Sequence, residues 1–175
     1  MTNGGLNQPA RDRGGLSWHT NLRRYLIVSA FSHLVWEFIQ LPLYTLWRAG
    51  SAAEIAYAVM HCTAGDIVIA ATAVVLALAA VGSGDWPRRG FASVWVVCVL
   101  LGVGYTVYSE HINTAVRGVW AYSALMPVVP WIGTGVAPLL QWLVIPTAAL
   151  WYGAGVCPTG RLSKFARPGR SQSRN

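Results

Sequence analysis

Charge is scarce in this sequence: 11% of its 175 residues are Asp, Glu, Lys or Arg, and six are acidic. Soluble domains carry about 25% charged residues, and one small soluble core does not hide the 54% of positions that are hydrophobic. Cysteine is nearly absent as well. Cys62, Cys98 and Cys157 lie far apart without a C-x-x-C pair, which excludes a thiol-redox relay and a zinc knuckle and leaves them as small apolar residues. The paired E-x-x-H motifs of di-iron bundles are missing too. No inverted repeat relates one half of the chain to the other.

Three stretches, 67–84, 90–109 and 118–160, contain no Asp, Glu, Lys, Arg or His. A helix crossing about 30 Å of hydrocarbon needs roughly 20 mostly apolar residues. The first two stretches reach that length with their flanks, and the third holds one span and an approach to it. A further span covers 25–47, interrupted only by His33 and Glu37. The sequence therefore predicts an all-α fold, an integral membrane four-helix bundle over 23–154, with helices at 23–47, 52–82, 90–114 and 134–154. Disordered basic tails are expected at 1–22 and 155–175. Arg23 and Arg24 before an apolar run imitate a secretory signal, but Glu37 lies inside that run and no small-x-small cleavage site follows it.

The net charge of +7 suggests nucleic acid only in a soluble protein; here its placement carries the information. Arg11, Arg13, Arg23 and Arg24 precede the first span, Arg88 and Arg89 separate the second and third, and Arg161, Lys164, Arg167, Arg170 and Arg174 follow the fourth. Arg48 and Arg117 alone fall in the other two connections. By the positive-inside rule both termini are cytoplasmic in a bacterial inner membrane, with an even number of crossings. Membrane lipids are the expected partners, the C-terminal tail lying against anionic headgroups; a homo-oligomer or an accessory partner is left open.

Ser51 and Glu54 form an S-x-x-E capping box for the second helix. The uncharged stretch 118–135, with Trp120, Tyr122, Pro127, Pro130 and Trp131, is irregular backbone that lipid cannot satisfy. It is expected to fold as an aromatic lid over the outer mouth of the bundle.

The intramembrane polar residues fall on helical faces. His33, Glu37, Gln40 and Tyr44 follow offsets of 0, 4, 7 and 11 along one face of the first helix, with Glu37 near mid-membrane. In the second helix Tyr57 and His61 share one face, and Cys62, Thr63 and Asp66 another. Gly102, Thr106, Glu110, Asn113 and Arg117 line one face of the third, near Tyr105. The fourth offers Gln141, beside Trp142 and ahead of Pro146. The acids and histidines lie between mid-membrane and the outer surface, while the inner half of every helix reads as apolar. A charge near the bilayer centre costs about 2.5 kcal/mol or more, so such residues are paired or functional.

Structural readings stand beside the functional ones. His33 with Glu37 can be a satisfied polar pair that locks helices, Asp66 helix-packing glue, and Glu110, Asn113 and Arg117 a salt-bridged helix end. His19 and His111 read as exposed, and Met60 and Met126 as packing.

The segments His33-Leu34-Val35-Trp36-Glu37, Tyr105-Thr106-Val107-Tyr108-Ser109-Glu110, Trp120-Ala121-Tyr122, Met126-Pro127 and Gln141-Trp142 resemble a group of small, uncharacterised bacterial four-helix inner-membrane proteins, which implies a fold but no activity. The H-x-x-x-E of the first helix, an E-x-x-N in a later helix and a polar residue beside Trp in the last also resemble the EXPERA family of sterol isomerases and sterol-binding proteins. That likeness implies a proton shuttle by His33 and Glu37, with Glu110 and Asn113 as a second site. The second acid lies on the third helix here rather than the second, so the likeness is one of mechanism.

Three functions follow as expectations. The first is an acid–base enzyme, or a binding protein, for a lipid or isoprenoid substrate. In it Glu37, His33, Asp66 and Glu110 are catalytic, and Gln40, Tyr44, His61, Tyr105, Asn113, Trp120, Gln141 and Trp142 bind substrate. Trp36, Trp120 and Trp142 then shield a cationic intermediate. The second is a metal or haem protein with His33, Glu37 and His61 as ligands; the residues name no particular cofactor. The third is a small transporter, proton relay or accessory subunit.

Overall fold

The computed structural model describes residues 15–82 and 86–155. Four of its helices are long and apolar enough to cross a membrane: Trp18–Leu43, Ala52–Val81, Phe91–Val116 and Val136–Gly153. The first comprises α1 (Gly15–Gln40) and a 3-10 turn, Leu41–Leu43; a short α2 (Leu46–Ala49) leads into α3 (Ala52–Val81). Next comes α4 (Phe91–His111), extended by a π-helical turn at Ile112–Val116, and finally α5 (Val136–Gly153). The expected tails at 1–14 and 156–175, and 83–85 of the connection before α4, lie outside the described residues.

Two boundaries differ from the sequence reading. Residues 15–22, expected in a disordered tail, are helical. Leu22 packs on the core, and Gly153 of α5 admits the carbonyl of Asn21, which a Cβ there would meet at 2.9 Å. At its other end α1 stops at Gln40 rather than 47. Pro42 has no N–H for the carbonyl one turn back and crowds it sterically. Glu37 therefore sits one turn from the end of α1.

The start of α3 is capped by both halves of the box. Ser51 Oγ accepts from the Glu54 N–H at 3.3 Å, and the Glu54 carboxylate accepts from the Ser51 N–H at 2.8 Å. At the end of α4 the π turn is signed by the Arg117 N–H reaching the Ile112 carbonyl at 2.8 Å. Such a wide turn loosens the regular ladder. Two side chains compensate: Asn113 Nδ2 donates to the Ser109 carbonyl and Thr114 Oγ1 to that of Glu110.

α1 packs against α3 and α5, and α4 packs against the same two helices. Large apolar side chains such as Ile27, Phe31, Val68, Leu100 and Val144 point outward and stand exposed, a surface matched to lipid rather than water. Met60 belongs to it, 63% exposed, because its position on α3 faces away from the neighbouring helices; it is not a packing residue.

At the base, where α1 begins and α5 ends, the core holds Tyr25, Ala70, Ala73, Val74, Ala77, Trp86, Val94, Cys98, Ala149 and Leu150. Alanines at 70, 73 and 77 share a face of α3 and let the backbones approach. Two polar groups in this half are tied off, while the buried Trp86 Nε1 has no partner among the described residues. The Tyr25 hydroxyl donates to the Ala70 carbonyl at 3.2 Å, and Trp95 Nε1 to Thr147 Oγ1 at 2.9 Å.

At the mouth, residues 118–135 fold back on the end of α1. The Thr45 N–H donates to the Ala121 carbonyl and the Ser123 N–H to that of Leu43, each at 2.9 Å. A second bridge joins Val128 to Gly135. Met126 is buried against Gly135, where a Cβ would lie 2.8 Å from its sulfur.

Candidate functional site

α1, α3 and α5 each send polar side chains to one point in the mouth half. The third turn before the end of α1 brings His33, the next Glu37, and the last Gln40; antiparallel α3 brings Asp66 to the same level, and the second turn of α5 brings Gln141. His33 is fully buried, with Gln141 at 2%, Gln40 at 6% and Glu37 at 9% exposure.

Gln141 is the hub. Its Nε2 lies 2.8 Å from Asp66 Oδ2, 2.9 Å from His33 Nδ1 and 3.1 Å from Glu37 Oε1. Gln40 Nε2 donates to Glu37 Oε1 at 2.8 Å and reaches Gln141 Oε1 at 3.4 Å. Trp36 Nε1 holds the other end of Gln40 from the side, at 3.2 Å. His33 and Glu37 make no direct hydrogen bond; the amide stands between them, and the ion-pair contact of His33 Nδ1 is with Asp66, at 3.3 Å.

An amide NH2 has two hydrogens, and three polar groups converge on this one, so the hydrogens are shared according to the imidazole tautomer. With its proton on Nδ1, His33 donates toward Asp66 and both amide hydrogens go to the carboxylates; with it on Nε2, His33 competes with them for a hydrogen. A proton on one of the acids reduces the charge held away from water, since no Lys or Arg joins the cluster. Exchangeable proton, imidazole and paired carboxyls together are the apparatus of acid–base chemistry.

A second polar knot closes the mouth. Glu110, 7% exposed, accepts a very short hydrogen bond from the Tyr122 hydroxyl, which itself accepts from the Gly135 N–H at 2.9 Å. Burial, and then the Glu110 carboxyl, raise the Tyr122 phenol above its ordinary range, so this hydroxyl stays a donor. The Tyr44 ring lies 5.6 Å from that of Tyr122, its phenol also raised, by burial and then by Glu110.

Between the knots lies a cavity of about 480 Å³ lined by every candidate residue except His33, which sits behind Glu37 and Gln141. Tyr57, His61 and Gly65 of α3 and Tyr105 of α4 line it and are exposed on the outer surface. The cavity thus opens sideways between α3 and α4, above the level where their small residues pack. Arg117 stands exposed at its rim.

Several expected partnerships are arranged differently. Glu110 and Arg117 form no salt bridge, because Tyr122 takes the carboxyl and the π turn rotates Arg117 off the α4 stripe. Asn113 serves Ser109 rather than Glu110. His61 does not join His33 and Glu37; it is exposed and stacks on Tyr57 at 5.5 Å. Among the described residues no group of three His, Cys, Asp or Glu side chains is disposed to hold a metal. Trp36 lies outside the cavity wall, while Trp120 and Trp142 are in it. Trp142 lies against Gly102, where a Cβ would be 2.1 Å from the indole, and its ring centroid is 5.0 Å from that of His33.

Sequence reasoning placed Tyr122 only in the lid and Gly102 only on a helix face, and gave no role to Ser29 or Tyr25. Tyr122 had no periodic signal, being in a loop. Ser29 and Tyr25 had one, standing four and eight residues before His33 on the same face.

Fold and site together define an all-helical chain with four potential membrane spans around a buried polar cluster. Comparison with protein-family models, with curated proteins and with solved structures gives no match to this chain.

Proposed function

We propose that this is a multi-pass protein of the bacterial inner membrane, with cytoplasmic termini, that takes a lipid or isoprenoid into its lateral cavity and moves a proton to or from it. The observation that carries this reading is the convergence of His33, Glu37 and Asp66 on the amide nitrogen of Gln141, beside a cavity that Glu37, Asp66 and Gln141 line. Glu37 acts as acid or base, His33 and Asp66 hold the reserve proton, and Gln141 and Gln40 orient the carboxyl. Exposed Tyr57 and Tyr105 flank the entrance, and Trp120 and Trp142 supply aromatic faces within it. The resemblance to the EXPERA family implies similar chemistry, and the cation placement supports the topology.

The test joins native mass spectrometry of the detergent-purified protein to lipid profiling of cells expressing wild type or Glu37→Gln. The wild-type chain is expected to retain a lipid and to alter the abundance of one lipid class; Glu37→Gln keeps the bound lipid and loses the alteration by about 100-fold or more. A chain free of lipid, or identical profiles for both proteins, overturns the reading.

A further inference from the structure

The face of α1 turned to its neighbours is polar from one end to the other. Asn21, Tyr25, Ser29, His33, Glu37 and Gln40 recur at steps of four, four, four, four and three, the spacing that keeps side chains on one face. At 1.5 Å per residue the column is about 28 Å long, close to the thickness of bilayer hydrocarbon. Asn21 is half-buried, while Tyr25, Ser29 and His33 are 0%, 1% and 0% exposed. The proposed chemistry at the cavity uses neither Tyr25 nor Ser29, and simple packing asks only for apolar residues there.

Two buried atoms of the column are orphans. Ser29 Oγ and His33 Nε2 have no hydrogen-bond partner, although they belong to adjacent turns of one face, where Cβ atoms stand about 5–6 Å apart. Ser29 stands beside the Tyr25 hydroxyl. His33 has its other nitrogen, Nδ1, in the Gln141 cluster. An unsatisfied hydroxyl and an unsatisfied imidazole nitrogen one turn apart supply two of the two to four partners that a buried water takes.

We propose that this column conducts protons between the cavity cluster and the base of the helices, through one water held by Ser29 Oγ and His33 Nε2. A proton added to His33 Nδ1 from the cluster is matched by one released from Nε2 to the water. The water passes one to Ser29, Ser29 to Tyr25, and Tyr25 to solvent water at the half-buried Asn21 end. Each group gains one proton and loses one, so a single H+ enters and a single H+ leaves with no redox change. The Tyr25 hydroxyl, now donating to the Ala70 carbonyl, turns for the last transfer and is the gate. The path stands whatever ligand the cavity takes.

Purified protein is reconstituted in liposomes containing a pH-sensitive dye, and a potassium diffusion potential set by valinomycin drives H+ inward. Wild type is expected to acidify the lumen several-fold faster than protein-free liposomes. Ser29→Val falls to the protein-free rate, and Ser29→Thr, which keeps a hydroxyl, conducts. If Ser29→Val does not fold, Tyr25→Phe, which keeps the ring, carries the same expectation of lost flux. Wild-type liposomes no faster than empty ones, or a folded Ser29→Val or Tyr25→Phe that conducts like wild type, overturns the proposal.

Discussion

The base and the mouth of this helical layer are built from the same four helices by opposite means. At the base, alanines on α3 and apolar side chains of α4 and α5 fill the space, and the hydrogen bonds are few and separate, as between Trp95 and Thr147. At the mouth, the helices are held by a network in which one amide meets two carboxyls and an imidazole, beside a cavity of about 480 Å³. Filling space gives rigidity with little chemistry, whereas a network with an unassigned proton gives chemistry at a cost in tolerance. Removing one member of such a network strands the rest away from water.

The comparison breaks most sharply at Gln141. Gln141→Leu leaves two acids and an imidazole without their common donor, and is expected to destabilise the protein by about 3–5 kcal/mol, the usual loss when a buried charged set loses a partner. Denaturant unfolding in detergent micelles, followed by circular dichroism, measures it; a loss below about 1 kcal/mol would mean that the mouth tolerates change as a surface does. Next comes Gly102→Val, which drives a side chain into Trp142 and costs about 1–3 kcal/mol by overpacking. It is expected to reduce lipid retention as well, since the indole forms part of the cavity wall. At the base, Trp95→Phe removes one hydrogen bond, costs about 1 kcal/mol and leaves lipid retention unchanged.

The smallest effect concerns the lid and appears only in alkali. The Tyr122 phenol is raised in the folded state, so its stabilising contribution is complete below the ordinary tyrosine value, about 10, and is lost as pH climbs through the folded value. Unfolding free energy is expected to fall above about pH 10, and less steeply in Tyr122→Phe. Equal slopes would show that the hydroxyl is not linked to folding.

The spans were legible because lipid demands long uncharged runs, and the number of such runs is plain in the chain. The stripe on α1 was legible as far as His33, since a 3.6-residue period is visible without partners. Its lower half escaped because Ser29 and Tyr25 carry no charge and sit among apolar residues. Pro42 was a visible stop for α1, but the apolar residues after it through Trp47 concealed the break. Gln141 could be seen as the polar residue of α5 but not as the hub, because which helix meets which is a matter of packing rather than period. The Glu110–Tyr122 bond depends on a loop doubling back, which no periodicity encodes.

Trp131 stands with positive φ at the tip of the mouth hairpin, fully exposed, and Trp47 is half exposed at the same end. Trp151 and Tyr152 are exposed in the last turn of α5, with Trp18 near the start of α1. Indole and phenol rings settle at the headgroup level, so these two girdles act as floats that fix how deep the chain rides. The sideways entrance lies at the mouth end, the end that carries Trp47 and Trp131. A thinner or thicker bilayer is met by tilting of the helices, and under the proposed function the length of the host lipids thereby becomes a control on which part of a lipid meets Glu37.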